Sequence, residues 1–465
     1  MSTDGSTSLE YLFHPRSIAF AGVSRIGQAL LESHLSAGFE GTIYPISRSL
    51  TEVFGLPCYA DLNDIPDSVD YVFAFIPAKS SPQFVRDCIA KEVKLVAFFT
   101  AGFSEKDEEG ARLEAELAAL VRGTGTRILG PNCMGIYCPA TGLSLAQGLP
   151  RESGPVGLFG QSGGNTTYAI RAAVARGAYF TKALSYGNAC DLNECDLLDH
   201  FARDPDTRVI AAYMEGLKDA GRFSTLLREV TCTKPVVVLK GGHTPLAAAT
   251  ASAHTGSVPV ADDEWDALMS QAGAIQVHDV DEMADVITAF LFMPPPRGRN
   301  VNVTGLGGGA SVVSADHCVE AGLTMPSLPD DLRQRLATFV NNPAGNIFVN
   351  PVDPQATPEG TDALIRAIAD WDGVDMLFLR LPHNITPFYQ DPGQSLDVLI
   401  QYAAERTKPT AVILEYVATP EGAQLCYERQ QACAEAGVAS FPSVQRAARA
   451  MSKLIEYHER RAATS

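Results

Sequence analysis

The histidine of Ser252-Ala-His-Thr-Gly-Ser257 stands in the surroundings most open to chemistry. An imidazole of ordinary pKa is partly neutral around pH 7, so His254 is competent as nucleophile, base or ligand. Its small, hydroxylated neighbours let a bulky charged group approach. Upstream, the apolar run 235–239 reads as a buried strand that ends in Lys240-Gly-Gly-His-Thr-Pro. A second apolar run, 209–214, is closed by Glu215 and Gly216, which places a carboxylate on the same sheet edge as His254. The plain alternatives are a loop histidine bonded to backbone and a salt-bridged surface glutamate.

Gly160-Gln-Ser-Gly-Gly164 offers a competing chemistry. It fits G-x-S-x-G between a strand and a helix, the nucleophile elbow of serine hydrolases. Ser162, then Asp191, Asp196 or Glu215, then His254 keeps the order Ser–acid–His, so a hydrolase or acyltransferase is one reading. That chemistry needs one sheet to carry all three groups, and the chain before Gly154 already reads as a complete α/β domain. No oxyanion-hole motif is evident upstream. The same pentapeptide can cradle an anion, with Ser162 and the N–H groups of Gly163 and Gly164 opening a helix.

These residues must be positioned by a repeated element. Ser17-Ile-Ala-Phe-Ala-Gly-Val-Ser24, Pro155-Val-Gly-Leu-Phe-Gly-Gln-Ser-Gly-Gly164 and Asn300-Val-Asn-Val-Thr-Gly-Leu-Gly-Gly-Gly309 each read as strand, glycine turn, helix. Three such openings predict an α/β protein with three domains: 1–150, 151–293 and 300–465, the last two joined by a stiff Pro-rich linker at 294–299. In the first block, strands at 42–46, 71–76, 95–100 and 126–129 alternate with helices such as 82–91 and 108–122. That is a Rossmann-like, doubly wound sheet whose ligand sits at the strands' carboxyl ends. The residues at those ends are Gly22, Val23, Ser24, Ser47, Arg48, Pro77, Ala78, Lys79, Thr100, Ala101, Gly102 and Asn132, with Arg25 close by. The first turn lacks G-x-G-x-x-G, and Ser47-Arg48 stand where an acidic ribose ligand belongs, so NAD is disfavoured. A nucleotide with extra phosphates, Coenzyme A above all, fits better, with Arg25, Arg48 and Lys79 as its cations.

Composition limits the partners. With 36 Lys and Arg against 54 Asp and Glu, the net charge of -18 argues against nucleic acid and anionic membranes. No apolar run reaches membrane-span length, and the N-terminus has no signal-peptide pattern. Ten scattered cysteines without a C-x-x-C pair point to reduced thiols and no metal site. A cytoplasmic protein is expected.

The chain resembles the α subunit of ADP-forming (NDP-forming) acyl-CoA synthetases, relatives of the succinyl-CoA synthetase α subunit. The resemblance rests on short matches in one order across residues 9–450. They include His14-Pro-Arg-Ser-Ile-Ala, Ala101-Gly-Phe103, Ile128-Leu-Gly-Pro-Asn-Cys-Met-Gly135, Gln161-Ser-Gly-Gly164, Gly187-Asn188, Tyr213-Met-Glu-Gly-Leu-Lys-Asp219, Ala253-His-Thr-Gly-Ser257 and Asn350-Pro-Val-Asp353. The resemblance implies a CoA-binding first domain followed by two flavodoxin-like domains. It makes His254 a transient phosphohistidine, Glu215 its orienting carboxylate, and Gln161, Ser162, Gly163, Gly164, Thr255 and Gly256 the residues around the phosphoryl group. The implied reaction joins a carboxylic acid to CoA through an acyl phosphate, with the phosphoryl group relayed between His254 and ADP. No ATP-grasp module follows, so the resemblance further implies a separate β subunit holding ATP/ADP and Mg2+, in a heterotetramer. A non-catalytic CoA-binding or regulatory protein is the other alternative. Ala253 replaces the family's usual Ser, and His243 stands where Arg is common, as a rival phosphoryl acceptor. The substrate acid is not legible in the sequence.

Overall fold

The computed structural model describes residues 8–255, 260–305, 307–340, 347–354, 356–381, 392–405, 407–415 and 419–464. Among the described residues its backbone forms three open sheets flanked by helices, as the three glycine openings require, and a small two-stranded pair, Glu52–Val53 with Leu56–Pro57. Two compact units are distinguished. One contains the residues up to Arg171 together with Tyr179–Val280, and the other contains Ala172–Ala178 with the residues from Asp281 onward.

In the first unit, one sheet is wholly parallel, in the order Thr42–Ile46, Ser17–Ala21, Tyr71–Ala74, Leu95–Phe98, Arg127–Leu129. These strands are buried on both faces, which explains their continuous apolar runs. The order reverses between Ser17–Ala21 and Tyr71–Ala74, and such a switch leaves a crevice at the strands' carboxyl ends. Ser24 caps the helix Arg25–Ser36 by accepting from Gly27 N–H.

The second sheet runs Ile275–Val277, Val236–Lys240, Val209–Met214, Ser153–Gly160, Phe180–Ser185, Gly135–Tyr137. All neighbours are parallel except Gly135–Tyr137, which pairs antiparallel with Phe180–Ser185. That last strand comes from the chain before residue 150, so the two sheets are stitched together. Asn188 N–H and Cys190 N–H donate to the carbonyls of Pro131 and Gly130 at 2.9 Å. Arg127 adds a two-pronged contact to Asp191, at 2.8 and 3.0 Å. One apolar cluster runs unbroken from Phe20 and Phe73 through Ile136 to Phe159 and Phe201. Gly187, at φ +54°, is required at this seam, because a Cβ there would fall on the Pro131 carbonyl oxygen.

In the second unit the order is Ile347–Phe348, Val352–Asp353, Val301–Thr304, Met376–Leu381, Thr410–Leu414, Ser440–Phe441, parallel except for the first pair. Its helix Gly308–Glu320 starts at the glycines themselves. Asp353 already occupies that start, its carboxylate accepting from Gly307 N–H at 2.9 Å. Among the described residues no helix is long and apolar enough to cross a membrane.

Burial makes His34 a titratable reporter on the first unit's integrity. His34 is sealed against Phe20, with its Nδ1–H donating to Leu30 O at 2.8 Å, and desolvation pushes its pKa down to about 4. The unfolded chain therefore binds a proton below about pH 6.5 that the folded chain refuses until about pH 4. We expect this residue to cost about 2 kcal/mol of stability as pH falls from 7 to 4.5. Urea denaturation of the protein against His34→Leu should show a shallower pH slope in the variant.

Candidate active site

The switch point of the second sheet builds the site. Ser153–Gly160 and Val209–Met214 are parallel neighbours, so the residues that follow them, Gln161 and Glu215, emerge side by side at their carboxyl ends. Gln161 N–H donates to Tyr213 O at 3.0 Å. The Gln161 side-chain carbonyl accepts from the backbone N–H of Glu215 and, at 3.1 Å, of Gly216. This clasp shapes the turn that carries Glu215. Glu215 is buried, with only 4% of its surface exposed, which sets aside the alternative of a surface glutamate.

His254 lies in the last turn of the helix Pro245–Thr255, not in a loop. Alanine-rich sequence favours that helix, and the preceding strand, Val236–Lys240, lies beside the Glu215 strand. The imidazole Nδ1 lies 3.1 Å from both carboxylate oxygens of Glu215. A carboxylate accepts only, so Nδ1 carries the proton and Nε2 carries the nucleophilic lone pair. Tyr213 Oη donates to Glu215 Oε1 at 3.1 Å, and its own pKa is raised by burial and by the Glu215 charge. Gly241 permits this triad, since a Cβ there would lie 2.6 Å from the Tyr213 hydroxyl. The His254 side chain is half exposed, so a reactive partner can reach the ring.

The helix Gly163–Val174 begins at the two glycines, with Ser162 Oγ accepting from Asn165 N–H at 3.4 Å. Gly163 is pressed against Met134, leaving no space for a Cβ. His254 thus sits at the negative end of its own helix and shares a cavity with the positive end of another. Such an arrangement attracts a phosphoryl group. It also turns the Nδ1 edge of His254 to Glu215, while Ser162 Oγ serves its helix.

The cavity encloses about 470 Å³. It collects Ser24, Thr100, Ala101, Asn132, Gln161, Ser162, Gly163, Gly164 and His254 from the sequence-derived set. Gly22, Val23, Arg25, Ser47, Arg48, Pro77, Ala78, Lys79 and Gly102 do not line it, and Glu215 lies behind His254. Several of these have local partners. The Gly22 and Val23 N–H groups donate to Ile46 O at 3.1 and 3.4 Å. Ser47 Oγ accepts from Leu50 N–H at 3.2 Å. Gly102 and Phe103 N–H are held by the Glu105 carboxylate, which also accepts from Asn188 Nδ2 at 2.6 Å. Arg48 is 3.7 Å from Asp61, and Lys79 is 3.2 Å from Glu109. Pro77 and Ala78 begin a short 3-10 turn, and Arg25 opens its helix. The Thr255 side chain and Gly256 lie outside the described residues. His243 is directed to Asp262 at 3.5 Å, away from the cavity.

Sequence reasoning missed four structural contributions to the site. Tyr213 was legible in principle, because residues two apart on a strand share a face with Glu215. Asn132 was expected to hold cofactor; its amide donates to the His254 carbonyl at 3.0 Å. Glu105 gives no local signal. Phe75, Phe99 and Met134 line the cavity as well, which only the fold reveals. A larger cavity of about 640 Å³ lies at the opposite strand ends, but its arginines are engaged by carboxylates: Arg127 by Asp191, Arg203 by Asp199, Arg222 by Asp196. Among the described residues no group of three or more His, Cys, Asp or Glu is arranged to hold a metal.

Comparison with known proteins agrees with this architecture. Residues 16–139 match the CoA binding domain model, and residues 153–290 match the succinyl-CoA ligase like flavodoxin domain. The chain is 33% identical to the α subunit of acetate–CoA ligase [ADP-forming] I of Pyrococcus furiosus, over 97% of this chain and 98% of that one. It is 32% identical to 4-hydroxybutyrate–CoA ligase [ADP-forming] of Nitrosopumilus maritimus, covering 74% of this chain but half of that longer one. A structure of dinucleotide forming acetyl-coenzyme A synthetase 1 from Ca. Korarchaeum cryptofilum, in complex with phosphate and ADP, superposes with a TM-score of 0.82. The two chains are 31% identical, and the match covers 98% of this chain and 97% of that one.

Because Glu215 orients His254 from behind, Glu215→Gln should leave the fold intact and slow reaction at the histidine ring about 10- to 100-fold, from the roughly 1.5–3 kcal/mol of one hydrogen bond to a charged group. Rapid-quench labelling checks this, and circular dichroism checks the fold.

Proposed function

The chain belongs to the family of ADP-forming acyl-CoA ligases, and on that premise we propose that it is the α subunit of such a ligase, using His254 as a phosphoryl relay. The observation that carries the proposal is the Glu215–His254 pair facing a helix N-terminus inside one cavity. The enzyme is an acid–thiol ligase with a CoA-binding domain. Its sheets would correspond to three domains, 1–150, 151–293 and 300–465, with 294–299 as linker.

The proposed chemistry follows from the geometry. His254 Nε2 attacks the γ-phosphorus of ATP, the P–O bond to ADP breaks and ADP leaves, while Glu215 holds the Nδ1 proton and balances the charge that develops on the ring. Backbone N–H groups at Ser162, Gly163 and Gly164 hold phosphoryl oxygens at the helix N-terminus. A carboxylate then attacks phosphorus, the P–N bond breaks, and an acyl phosphate forms with neutral histidine. The CoA thiol adds to the acyl carbon, loses its proton, and expels phosphate. Each step is reversible, because the P–N and acyl phosphate bonds are both high in energy.

CoA enters along the Ser24, Thr100, Ala101 and Asn132 rim of the cavity. The remaining residues of that set, Gly22, Val23, Arg25, Ser47, Arg48, Pro77, Ala78, Lys79 and Gly102, hold its distal parts, with Arg48 and Lys79 exchanging carboxylate for phosphate. ATP or ADP with Mg2+ is assigned to an ATP-grasp β subunit in a heterotetramer. Support comes from relatives that are separate α subunits in one case and span twice the length in another. A cytoplasmic location follows from these soluble substrates.

Incubation with labelled ATP and an ATP-grasp partner tests the relay. Wild type should take up acid-labile, base-stable label that His254→Ala lacks entirely. Label that persists in the variant would transfer the role to another residue.

A further inference from the structure

The turn after the strand Leu95–Phe98 is held by a residue that does not itself line the cavity. Thr100 and Ala101 line it, and Thr100 O accepts from Asn132 N–H at 3.2 Å. The next two amides, of Gly102 and Phe103, converge on one oxygen of the Glu105 carboxylate, the second at 3.0 Å. Gly102 stands at φ +107°, a backbone state that favours glycine.

The other oxygen of Glu105 accepts from Asn188 Nδ2 at 2.6 Å. Asn188 is fully buried and follows the strand Phe180–Ser185 of the second sheet, where its own N–H donates to Pro131 O at 2.9 Å. The same Nδ2 donates to Glu114 Oε2 at 2.9 Å. Glu114 in turn accepts from the Ser104 N–H and hydroxyl, at 3.2 and 2.7 Å. The turn is thus clamped by two carboxylates that meet on one asparagine of the neighbouring sheet.

Consecutive N–H groups of this kind are a common phosphate cradle. Here the cradle is closed: Phe103 is sealed, and the carboxylate filling it is bonded on its far oxygen as well. The two amides therefore serve Glu105 and not a ligand.

Resting on the CoA-binding part of the ligase reading above, we propose that Glu105 is a positioning residue for CoA. Through the Gly102 and Phe103 amides and Asn188 it sets where the Thr100–Ala101 rim stands beside His254. Its effect runs against its charge. CoA is an anion and the chain carries a net charge of -18, so by charge alone the loss of a carboxylate favours CoA. By position the same loss disfavours it. Gln at 105 would set an amide donor against the Asn188 donor, and the shorter Asp would fall short of one side.

Calorimetric titration of the full chain with CoA, alone and with an ATP-grasp partner, reads this without any turnover. Glu105→Gln and the charge-keeping Glu105→Asp should each weaken CoA binding about 10-fold, with thermal melts checking the fold. Glu116→Gln, which removes an exposed carboxylate paired with Arg86 in the same sheet's helices, should bind CoA as wild type does. In the complete reaction with ATP, partner and acetate, the KM for CoA should rise by a larger factor than kcat falls. Equal or tighter CoA binding by Glu105→Gln, or wild-type binding by Glu105→Asp, overturns the proposal and leaves the ligase reading standing. Equal weakening by Glu116→Gln, or a fall in kcat with KM unchanged, overturns it in the same way. Where one Glu105 variant does not fold, the other decides. Failure of both to fold overturns the proposal, making the carboxylate a requirement of the fold instead of the cofactor site. Absence of CoA binding by wild type overturns the CoA reading itself, and this proposal with it.

Discussion

The contact on which the site depends is the pairing of a buried carboxylate with a half-exposed imidazole. A carboxylate taken out of water is costly unless its oxygens are satisfied, and Glu215 meets that condition through His254 Nδ1–H and the Tyr213 hydroxyl. The charge is therefore held where it can act on the ring. Gln161 fixes the turn from below, and Gly241 keeps space for the tyrosine. Removing either partner of the pair would leave the other with an unmet requirement, so orientation of the nucleophile and stability of the sheet edge are the same interaction.

Around that pair, the fold provides opposed helix ends. The helix Gly163–Val174 points its N-terminus into the cavity, and Pro245–Thr255 brings its C-terminal turn there. With a net charge of -18, the protein has little long-range attraction for anions. Backbone N–H groups supply it locally, where no acidic side chain lines the cavity among the described residues. Glycine at position 163 is dictated by Met134 lying against it.

Much of this was legible in the sequence, and the losses have physical causes. Apolar runs buried on both faces located the strands, and glycine breaks located the turns that carry chemistry. The pairing of Glu215 with His254 followed from two strands ending on one edge. What sequence could not convey was how polar groups choose partners across long separations. Arg48 and Lys79 read as cations for a cofactor, and the fold also brings Asp61 and Glu109 beside them. Asn132 read as a cofactor ligand, yet its amide meets a carbonyl 122 residues away. The helical state of His254 was written in its alanine-rich flank, but its small, hydroxylated neighbours read as a loop.

The strand Gly135–Tyr137 has a mechanical meaning. By leaving the first sheet's stretch of chain to complete the second, it acts as a weld, reinforced by the Arg127–Asp191 clamp and the amides that reach the 130–131 carbonyls. The two sheets cannot open and shut as jaws without unzipping strand pairs. To that block the His254 helix is tied by the Asn132 amide on its carbonyl and the Glu215 carboxylate on its ring.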